Sequence, residues 1–243
     1  DAKVGDWVVT PRIGKPVEVQ ALWINALQIG ASISDSEEWA RHVGRATAGF
    51  REAFWNPVGY LNDVADADGH PGASDVSFRP NQIFAVGGLP MPLLDLAHGR
   101  QIVDAVEARL WTPMGLRSLA PGEPGYAPRY EGGPVQRDGA YHQGTIWPWL
   151  AGPFIEAWVR VRGNTREARQ DARHRFFEPL LGQLQKAGLG HLAEIADAEP
   201  PFTPRGCPFQ AWSMGELLRL DRVVLAEPVD ARPRRAVISG RSS

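Results

Sequence analysis

The predicted fold rests on the sequence TIWPWLAGPFIEAWVRV, residues 145–161, which is apolar around most of the helix it would form. Its large side chains recur at helical spacing, at Ile146, Trp149, Leu150, Phe154, Ala157, Trp158 and Val161. A helix with almost no polar face is stable only when other elements cover it. We therefore expect this segment to be an inner helix.

The next segment, residues 166–187, has a different pattern. It alternates charges and carries Phe176, Phe177, Leu180, Leu181 and Leu184 along one side. This is typical of a helix with one side in water. Inner and outer helices that alternate, without a convincing strand pattern, predict an all-α fold. A double-layered α toroid fits best, although the periodicity also allows an ordinary helical array.

Further helices follow from capping and spacing. Pro16 and Glu18 open a first helix, and Ser34 with Glu37 forms a capping box for a second helix, which ends before Asn56-Pro57. The same criteria predict helices at residues 81–86, 93–110 and 209–220, which brings the candidates to seven. Three tryptophans within helical stripes are expected in the core: Trp23, Trp39 and Trp158.

Long connections lie between these helices, at residues 59–80, 112–144 and 189–208. They are rich in Gly and Pro but also carry aromatic residues, namely Tyr60, Tyr126, Tyr130, Tyr141 and Phe202. Disordered linkers are poor in aromatics, so we expect ordered loops that line a site. Residues 225–243 lack an apolar period and are expected to form a disordered tail.

Composition excludes several classes of function. The chain has 243 residues, 26 Lys and Arg, 28 Asp and Glu and a net charge of -2, which gives no basic surface for nucleic acid. It has one cysteine, Cys207, and no apolar run long enough to cross a bilayer. We therefore expect no nucleic-acid partner and no membrane partner. Without a secretion signal at its start, the sequence predicts a cytoplasmic location.

No motif for metal or nucleotide chemistry is present in the sequence: it lacks CxxC pairs, HExxH, GxGxxG and Walker-type loops. What remains is carboxylates among aromatic residues, the combination that glycoside hydrolysis requires. Spacing alone does not choose among the candidates, which are Asp1, Asp6, Glu18, Asp63, Asp66, Glu131, Asp138 and Glu194.

Six longer segments resemble the glucosidase domain of glycogen-debranching enzymes, the amylo-α-1,6-glucosidase family. They are DAKVGDWVVTPRIGKPVEVQALWINAL (1–27), SFRPNQIFAVGGLP (77–90), GLRSLAPGEPGY (115–126), RYEGGP (129–134), RDGAYHQGTIWPWLAGPFIEAW (137–158) and HLAEIADAEPPFTPRGCPFQAWSMGELL (191–218).

This resemblance implies an (α/α)6 toroid that hydrolyses α-1,6-linked glucose at the branch points of glycogen or limit dextrin. Hydrolysis would proceed with inversion and without metal or cofactor. The resemblance places the general acid at Asp1 and the general base at Glu194. It assigns residues 1–224 to the C-terminal part of the glucosidase domain, with the N-terminal half of that domain as a missing partner.

Substrate-binding candidates cluster in two of these segments. Arg79, Asn81 and Gln82 could hold sugar hydroxyls or could cap a helix and form ion pairs. Tyr141, His142, Gln143, Trp147 and Trp149 combine hydrogen-bonding groups with flat stacking surfaces where a loop enters the inner helix. Lys15 and Glu18 could pair structurally or bind a hydroxyl.

The toroid of this family has about a dozen helices, so seven helices would leave apolar flanks exposed. We also expect weak or no activity from the isolated chain, because a free ammonium on Asp1 would oppose its role as an acid. The alternatives are another inverting α-glucosidase of the same fold, of the glucoamylase or trehalase kind, and a non-catalytic glycan-binding toroid. A scaffold module is a further alternative.

Overall fold

A computed structural model describes residues 3–34, 36–186 and 188–227. Helices dominate this part of the chain. The α-helices within it are α1 (Val17–Ile33), α2 (Glu37–Phe54), α3 (Leu96–Leu110), α4 (Pro134–Ala140), α5 (Ala151–Arg160), α6 (Arg166–Ala172), α7 (Glu178–Gln183) and α8 (Ala211–Arg219). Short 3-10 segments cover Ala67–Gly69, Pro80–Ala85 and Pro148–Leu150, and π-helical turns cover Arg173–Phe177 and Leu220–Val224.

Short strands are also present, which the expectation of an all-α chain did not include. They are β1 (Lys3–Val4), β2 (Trp7–Val8), β3 (Lys15–Pro16), β4 (Trp55–Asn56), β5 (Tyr60–Leu61), β6 (Val64–Ala65), β7 (Ser74–Asp75), β8 (Trp111–Thr112), β9 (Gly115–Arg117), β10 (Ile146–Trp147), β11 (Ile195–Ala196) and β12 (Pro204–Arg205). Strands of two or three residues are too short to show a period of two, so sequence patterning does not detect them.

Among the described residues, the largest sheet joins two of the long connections, 112–144 and 189–208, to the start of segment 145–161. Its order is β12-β11-β10-β9-β8, and every neighbouring pair is antiparallel. In the centre, Ile146 pairs with Arg117 on one side and with Ala196 on the other. The sheet therefore brings the loop before α5 next to the loop that contains Glu194.

Helix α1 has two apolar faces, of which one is buried. Val17, Ala21 and Ile24 belong to the core, where α1 packs against α2 and against Pro80–Ala85. The opposite face exposes Val19, Leu22, Trp23, Ile29 and Ile33. The sequence predicts exposed apolar flanks, and the structure shows one here.

Two of the three predicted core tryptophans are not in the core. Trp158 is 2% exposed, as expected, but Trp23 is 56% exposed and Trp39 is 38% exposed. Trp23 belongs to the uncovered face of α1. Trp39 lies over Gly30, where a Cβ atom would come within 2.7 Å of its ring. Helical spacing reveals an apolar stripe but not whether another element covers it.

The helix boundaries differ from the prediction where capping residues decide them. Ser36, not Ser34, caps α2, because its Oγ accepts a hydrogen bond from the Glu38 amide. Asp95 caps α3 by accepting from the His98 amide, so this helix starts later than residue 93. Helix α4 was not predicted and lies within the long connection 112–144.

Segment 145–161 is a strand, a 3-10 turn and then α5 instead of one helix. Pro148 explains the break, since the residue before a proline favours extended backbone and Trp147 has φ -115° and ψ 101°. The helical part is buried as expected, with Phe154 0% exposed between Trp111 and Phe176 at ring distances of 5.1 and 5.3 Å. It forms the centre of the core.

The segment after α5 has one buried side, as predicted. Phe176, Phe177 and Leu180 are buried, whereas Arg166 and Glu167 are exposed. Leu181 differs from the prediction, because it is 37% exposed. Within the described residues, no helix combines the length and apolar character needed to cross a bilayer. Most of the predicted tail, from residue 228 onward, lies outside the described residues.

Phe154 provides a test of the core. Phe154→Ala removes a fully buried ring, so we expect the free energy of unfolding to fall by about 3–5 kcal/mol. Urea unfolding followed by circular dichroism measures this change. Phe209→Ala is the matched control, because Phe209 is 52% exposed and should cost about 1 kcal/mol or less. Equal losses for the two variants would contradict the core assignment.

Candidate active site

A cleft of about 480 Å³ opens where the loop before α1, segment 80–85, segment 141–150 and the start of α8 meet. This volume lies within the range of about 300–1,000 Å³ that is usual for small-ligand sites. Its lining residues are Thr10, Arg12, Glu18, Arg79, Pro80, Asn81, Ser118, Tyr141, His142, Trp147, Trp149, Leu150 and Trp212. We call its polar and charged residues the polar wall and its aromatic residues the aromatic wall; the polar wall is Thr10, Arg12, Glu18, Arg79, Asn81 and Ser118, and the aromatic wall is Tyr141, His142, Trp147, Trp149 and Trp212.

The polar wall is built on paired charges. Arg12 holds both oxygens of Glu18 at 2.5 and 2.8 Å, and it also bonds the carboxylate of Asp63 at 2.7 and 3.0 Å. Asp63 is 2% exposed and lies behind the wall. Glu18 sits in the first turn of α1 and faces the cleft. Such bidentate pairing fixes the orientation of the carboxylate that a ligand would meet.

Arg79 joins the loops below this wall. Its Nη1 donates to the carbonyls of Ser118 at 3.2 Å and His142 at 2.6 Å, and its Nη2 donates to Gln143 Oε1 at 2.5 Å. Its Nε lies 3.6 Å from Asp63 Oδ2 and, among the described residues, is buried without a hydrogen-bond partner. Burial lowers the pKa of Arg79, and the charge of Asp63 opposes that shift. Most donors of Arg79 therefore bind the protein itself.

Of the predicted substrate-binding residues near Arg79, some line the cleft and others lie behind it. Asn81 lines the cleft. Gln82 is 1% exposed, and its amide group accepts from the Leu61 amide and donates to the Arg79 carbonyl. Gln143 does not line the cleft either, and its side-chain oxygen accepts from Arg79. Gln82 and Gln143 thus support the site from behind.

The aromatic wall follows from β10 and the turn after it. The ring of His142 stacks on Trp147 with centroids 5.0 Å apart and planes at 7°, and Tyr141 meets Trp147 edge-on at 4.8 Å. Trp149 continues the wall toward Trp212, at 5.8 Å. Burial, followed by the positive charges of Arg79 and Arg12, lowers the pKa of His142 to about 4.

Glu194 lies at the edge of this wall, just before β11. The Tyr141 hydroxyl donates to its Oε1 at 2.7 Å, and the Cys207 amide donates to its Oε2 at 3.1 Å. Burial and the bond to Glu194 raise the pKa of Tyr141. Gly206 is needed beside the carboxylate, because it has φ 68° and a Cβ atom there would lie 2.5 Å from Glu194 Oε2.

An ion pair across the β11–β12 hairpin holds the segment that carries Glu194. Asp197 is fully buried and accepts from Arg205 at 2.9 and 3.1 Å and from the Tyr130 amide at 2.9 Å. The backbone of Glu194 donates to the Cys207 carbonyl at 2.8 Å. Two contacts from opposite ends of the hairpin therefore fix the position of Glu194.

The other predicted catalytic residue, Asp1, lies outside the described residues, so its distance from Glu194 stays a prediction. Glu194 contacts the cleft through Tyr141 and is not among the residues that line it. Glu18 pairs with Arg12, and Lys15 pairs with Asp66 at 2.5 Å. The residues predicted from the sequence include members of both the polar wall and the aromatic wall.

Sequence reasoning did not select several residues of the cleft, namely Thr10, Arg12, Ser118, Leu150 and Trp212. All five lie within the segments that resemble the amylo-α-1,6-glucosidase family, and this resemblance is the sequence feature that could have identified them. Thr10 is 4% exposed, and its Oγ1 has no hydrogen-bond partner within the described residues. Thr10 thus adds a buried side chain to the lining of the cleft.

Solved structures that share this fold include a GH63 enzyme. Mannosylglycerate hydrolase of Thermus thermophilus, in complex with Tris and D-glycerate, matches with a TM-score of 0.56 at 17% identity over 84% of this chain and 45% of that chain. Its complex with glucose matches with a TM-score of 0.57 at 16% identity over 84% of this chain and 46% of that chain. This chain spans about half the length of these structures, which share its fold.

Sequence comparison gives the family. The glycogen debranching enzyme of Saccharomyces cerevisiae is 30% identical over 165 residues, which cover 60% of this chain and 11% of that protein. The sequence model described as amylo-alpha-1,6-glucosidase matches residues 1–219. The chain therefore belongs to the amylo-α-1,6-glucosidase family of glycoside hydrolases.

Proposed function

We propose that this chain provides the general base and much of the sugar-binding cleft of an enzyme that removes α-1,6-linked glucose from branch points of glycogen-like glucans. The main support for this proposal is the position of Glu194. The carboxylate of Glu194 is held by Tyr141 at the edge of a cleft with one charged and one aromatic wall. Glycosidases need a positioned carboxylate of this kind beside a site that binds a sugar ring.

In the proposed reaction, Glu194 takes a proton from a water molecule whose oxygen attacks the anomeric carbon. The bond between that carbon and the branch oxygen breaks as Asp1 gives its proton to the leaving oxygen. Attack and departure on opposite faces invert the anomeric centre, and the two carboxyl groups would then lie about 6.5–9.5 Å apart. The hydrogen bonds from Tyr141 and from the Cys207 amide would hold the Glu194 carboxylate in one orientation during this step.

The charges of the cleft favour a neutral substrate. Arg12 is paired with Glu18 and Asp63, and Arg79 lies 3.6 Å from Asp63, so neither guanidinium offers an uncompensated charge to an anion. A neutral sugar gains hydrogen bonds from fixed acceptors such as the Glu18 carboxylate without disturbing these pairs. An uncharged glucan fits this wall better than an acidic glycoside.

The flat side of a glucose ring would lie on the aromatic wall. Trp149 and the small exposed part of Trp147, which is 7% exposed, line the same cleft as Glu18 and Asn81, which suits a ring with apolar faces and polar edges. With its pKa lowered to about 4, His142 is neutral near pH 7 and can donate from one ring nitrogen and accept at the other.

We also propose that residues 1–224 are the C-terminal part of a domain of the (α/α)6 type. The uncovered apolar face of α1 supports this proposal, because a second set of helices would bury Leu22, Trp23 and Ile29.

Substitution of Glu194 tests the proposed base. Glu194→Gln keeps the shape of the side chain but cannot take a proton, so we expect glucose release from a singly branched α-1,6 oligosaccharide to fall at least about 100-fold. Glu52→Gln, at an exposed position of α2, should leave the rate unchanged. The assay is run on the chain and on the chain extended before Asp1, so that a free terminus does not obscure the result. Equal rates for Glu194→Gln and the wild-type protein would overturn the proposed base.

The anomer of the first product tests inversion. A water molecule activated by Glu194 on the face opposite the leaving group would give β-glucose from an α-linked branch. Proton NMR during the first minutes of hydrolysis, before mutarotation, distinguishes the two anomers. Initial release of α-glucose would refute the proposed arrangement of the two carboxyl groups.

The pKa of His142 predicts how stability depends on pH. The folded-state pKa is about 4 and the ordinary value is 6.5, so the unfolded chain binds more protons between about pH 4 and pH 6.5. The free energy of unfolding should therefore rise with pH across that window, and this contribution is lost as the pH falls.

Urea unfolding at several pH values measures this dependence. We expect a shallower slope in His142→Gln, whereas His70→Gln, at an exposed histidine, should keep the wild-type slope. An unchanged slope in His142→Gln would show that His142 does not cause the dependence.

A further inference from the structure

Trp212 marks a surface next to the cleft that the proposed reaction does not use. It lies at the start of α8, which packs against Pro148–Leu150, and it is one of the aromatic residues that line the cleft. Its ring lies 5.8 Å from Trp149 and 6.2 Å from Trp147. Trp212 is nevertheless 48% exposed, whereas the next residue, Ser213, is 1% exposed.

The exposed part of the Trp212 indole adds apolar surface to the aromatic wall. Trp147 and Trp149 cover part of the ring, and the rest meets solvent. Phe209, three residues earlier in the chain, is 52% exposed. Large apolar surfaces left in water beside a binding cleft are typical of ligand contacts.

The chemistry of this surface favours a sugar unit over a charged ligand. An indole ring has a broad apolar face and one N–H donor, which matches a pyranose ring with C–H groups on its face and hydroxyls at its edge. Because Trp212 lines the same cleft as Trp147 and Trp149, it is within reach of a sugar unit linked to a glucose bound in that cleft. Trp23 is also exposed but lies on α1 and does not line the cleft.

We propose that Trp212 forms an outer subsite, where its indole ring stacks on a glucose unit of the main glucan chain that carries the cleaved branch. This proposal rests on the proposed function, because it assigns the branch glucose to the cleft and the chain that carries the branch to Trp212. The outer subsite selects substrates whose branch is attached to an α-1,4-linked chain.

Calorimetry with maltohexaose, a linear α-1,4 glucan without a branch, tests the outer subsite directly. We expect the wild-type chain to bind it and Trp212→Ala to bind about tenfold more weakly, or roughly 1.4 kcal/mol. Trp212→Phe should retain part of the affinity, and Trp23→Ala should bind like the wild-type chain. Absence of binding by the wild-type chain, or equal affinities for Trp212→Ala and the wild type, would overturn the proposal.

Oxidation of tryptophan provides a second measurement that needs no variant. N-bromosuccinimide oxidises exposed indoles, and peptide mapping by mass spectrometry reports each tryptophan separately. We expect maltohexaose to protect Trp212 and to leave Trp23 as reactive as before. Equal protection of both, or of neither, would count against the subsite. Binding through Trp212 without hydrolysis of α-1,6 branches would retain the subsite and reject the proposed function.

Discussion

The buried guanidinium of Arg79 is the constraint on which the rest of the site depends. It bonds the carbonyls of Ser118 and His142 and the side chain of Gln143, and it lies beside the carboxylate of Asp63. Three separate stretches of the chain, at Asp63, at Ser118 and at His142–Gln143, meet at this one group. A buried charge persists only when it is paired and hydrogen-bonded, so the loops around it have little freedom to move apart.

The bonds of Arg79 hold the loops that form the polar wall and the aromatic wall of the cleft. On one side, Asp63 connects Arg79 to Arg12 and so fixes Glu18 at the surface of the cleft. On the other side, the bond from Arg79 to the His142 carbonyl holds the segment that leads into Trp147. Removing one partner from such a network leaves a buried charge uncompensated, which typically costs about 3–5 kcal/mol. Positioning of the ligand-facing groups and stability of the fold are therefore coupled.

A separate device positions Glu194. The β11–β12 hairpin is short, but the fully buried Asp197, which follows β11, pairs with Arg205 on β12 and accepts a hydrogen bond from the Tyr130 amide. Tyr141 belongs to the aromatic wall and also donates a hydrogen bond to Glu194, so it connects the Arg79 network to the Asp197 network. A carboxylate held by donors from two different loops has one preferred orientation, as a general base requires.

The sequence predicted helices better than it predicted their environment. Long periodic segments such as 17–33 and 37–54 show a clear helical spacing, whereas two-residue strands leave no pattern, and Ser34 and Ser36 are both plausible caps. Trp23 and Trp39 were placed in the core because spacing does not report which face is covered. Motif resemblance pointed to Tyr141, His142 and Trp147. Arg12 and Trp212 lie far from them in the chain, and only the folded arrangement brings all five together.

A crystal structure of the chain with glucose bound would show whether this cleft binds the sugar. We predict a glucose ring between Trp147 and Trp149 on one side and Glu18 and Asn81 on the other, with its anomeric carbon toward the Tyr141–Glu194 pair. Glucose at another surface, or an empty cleft at a concentration that saturates binding in solution, would show that the cleft is not the glucose site.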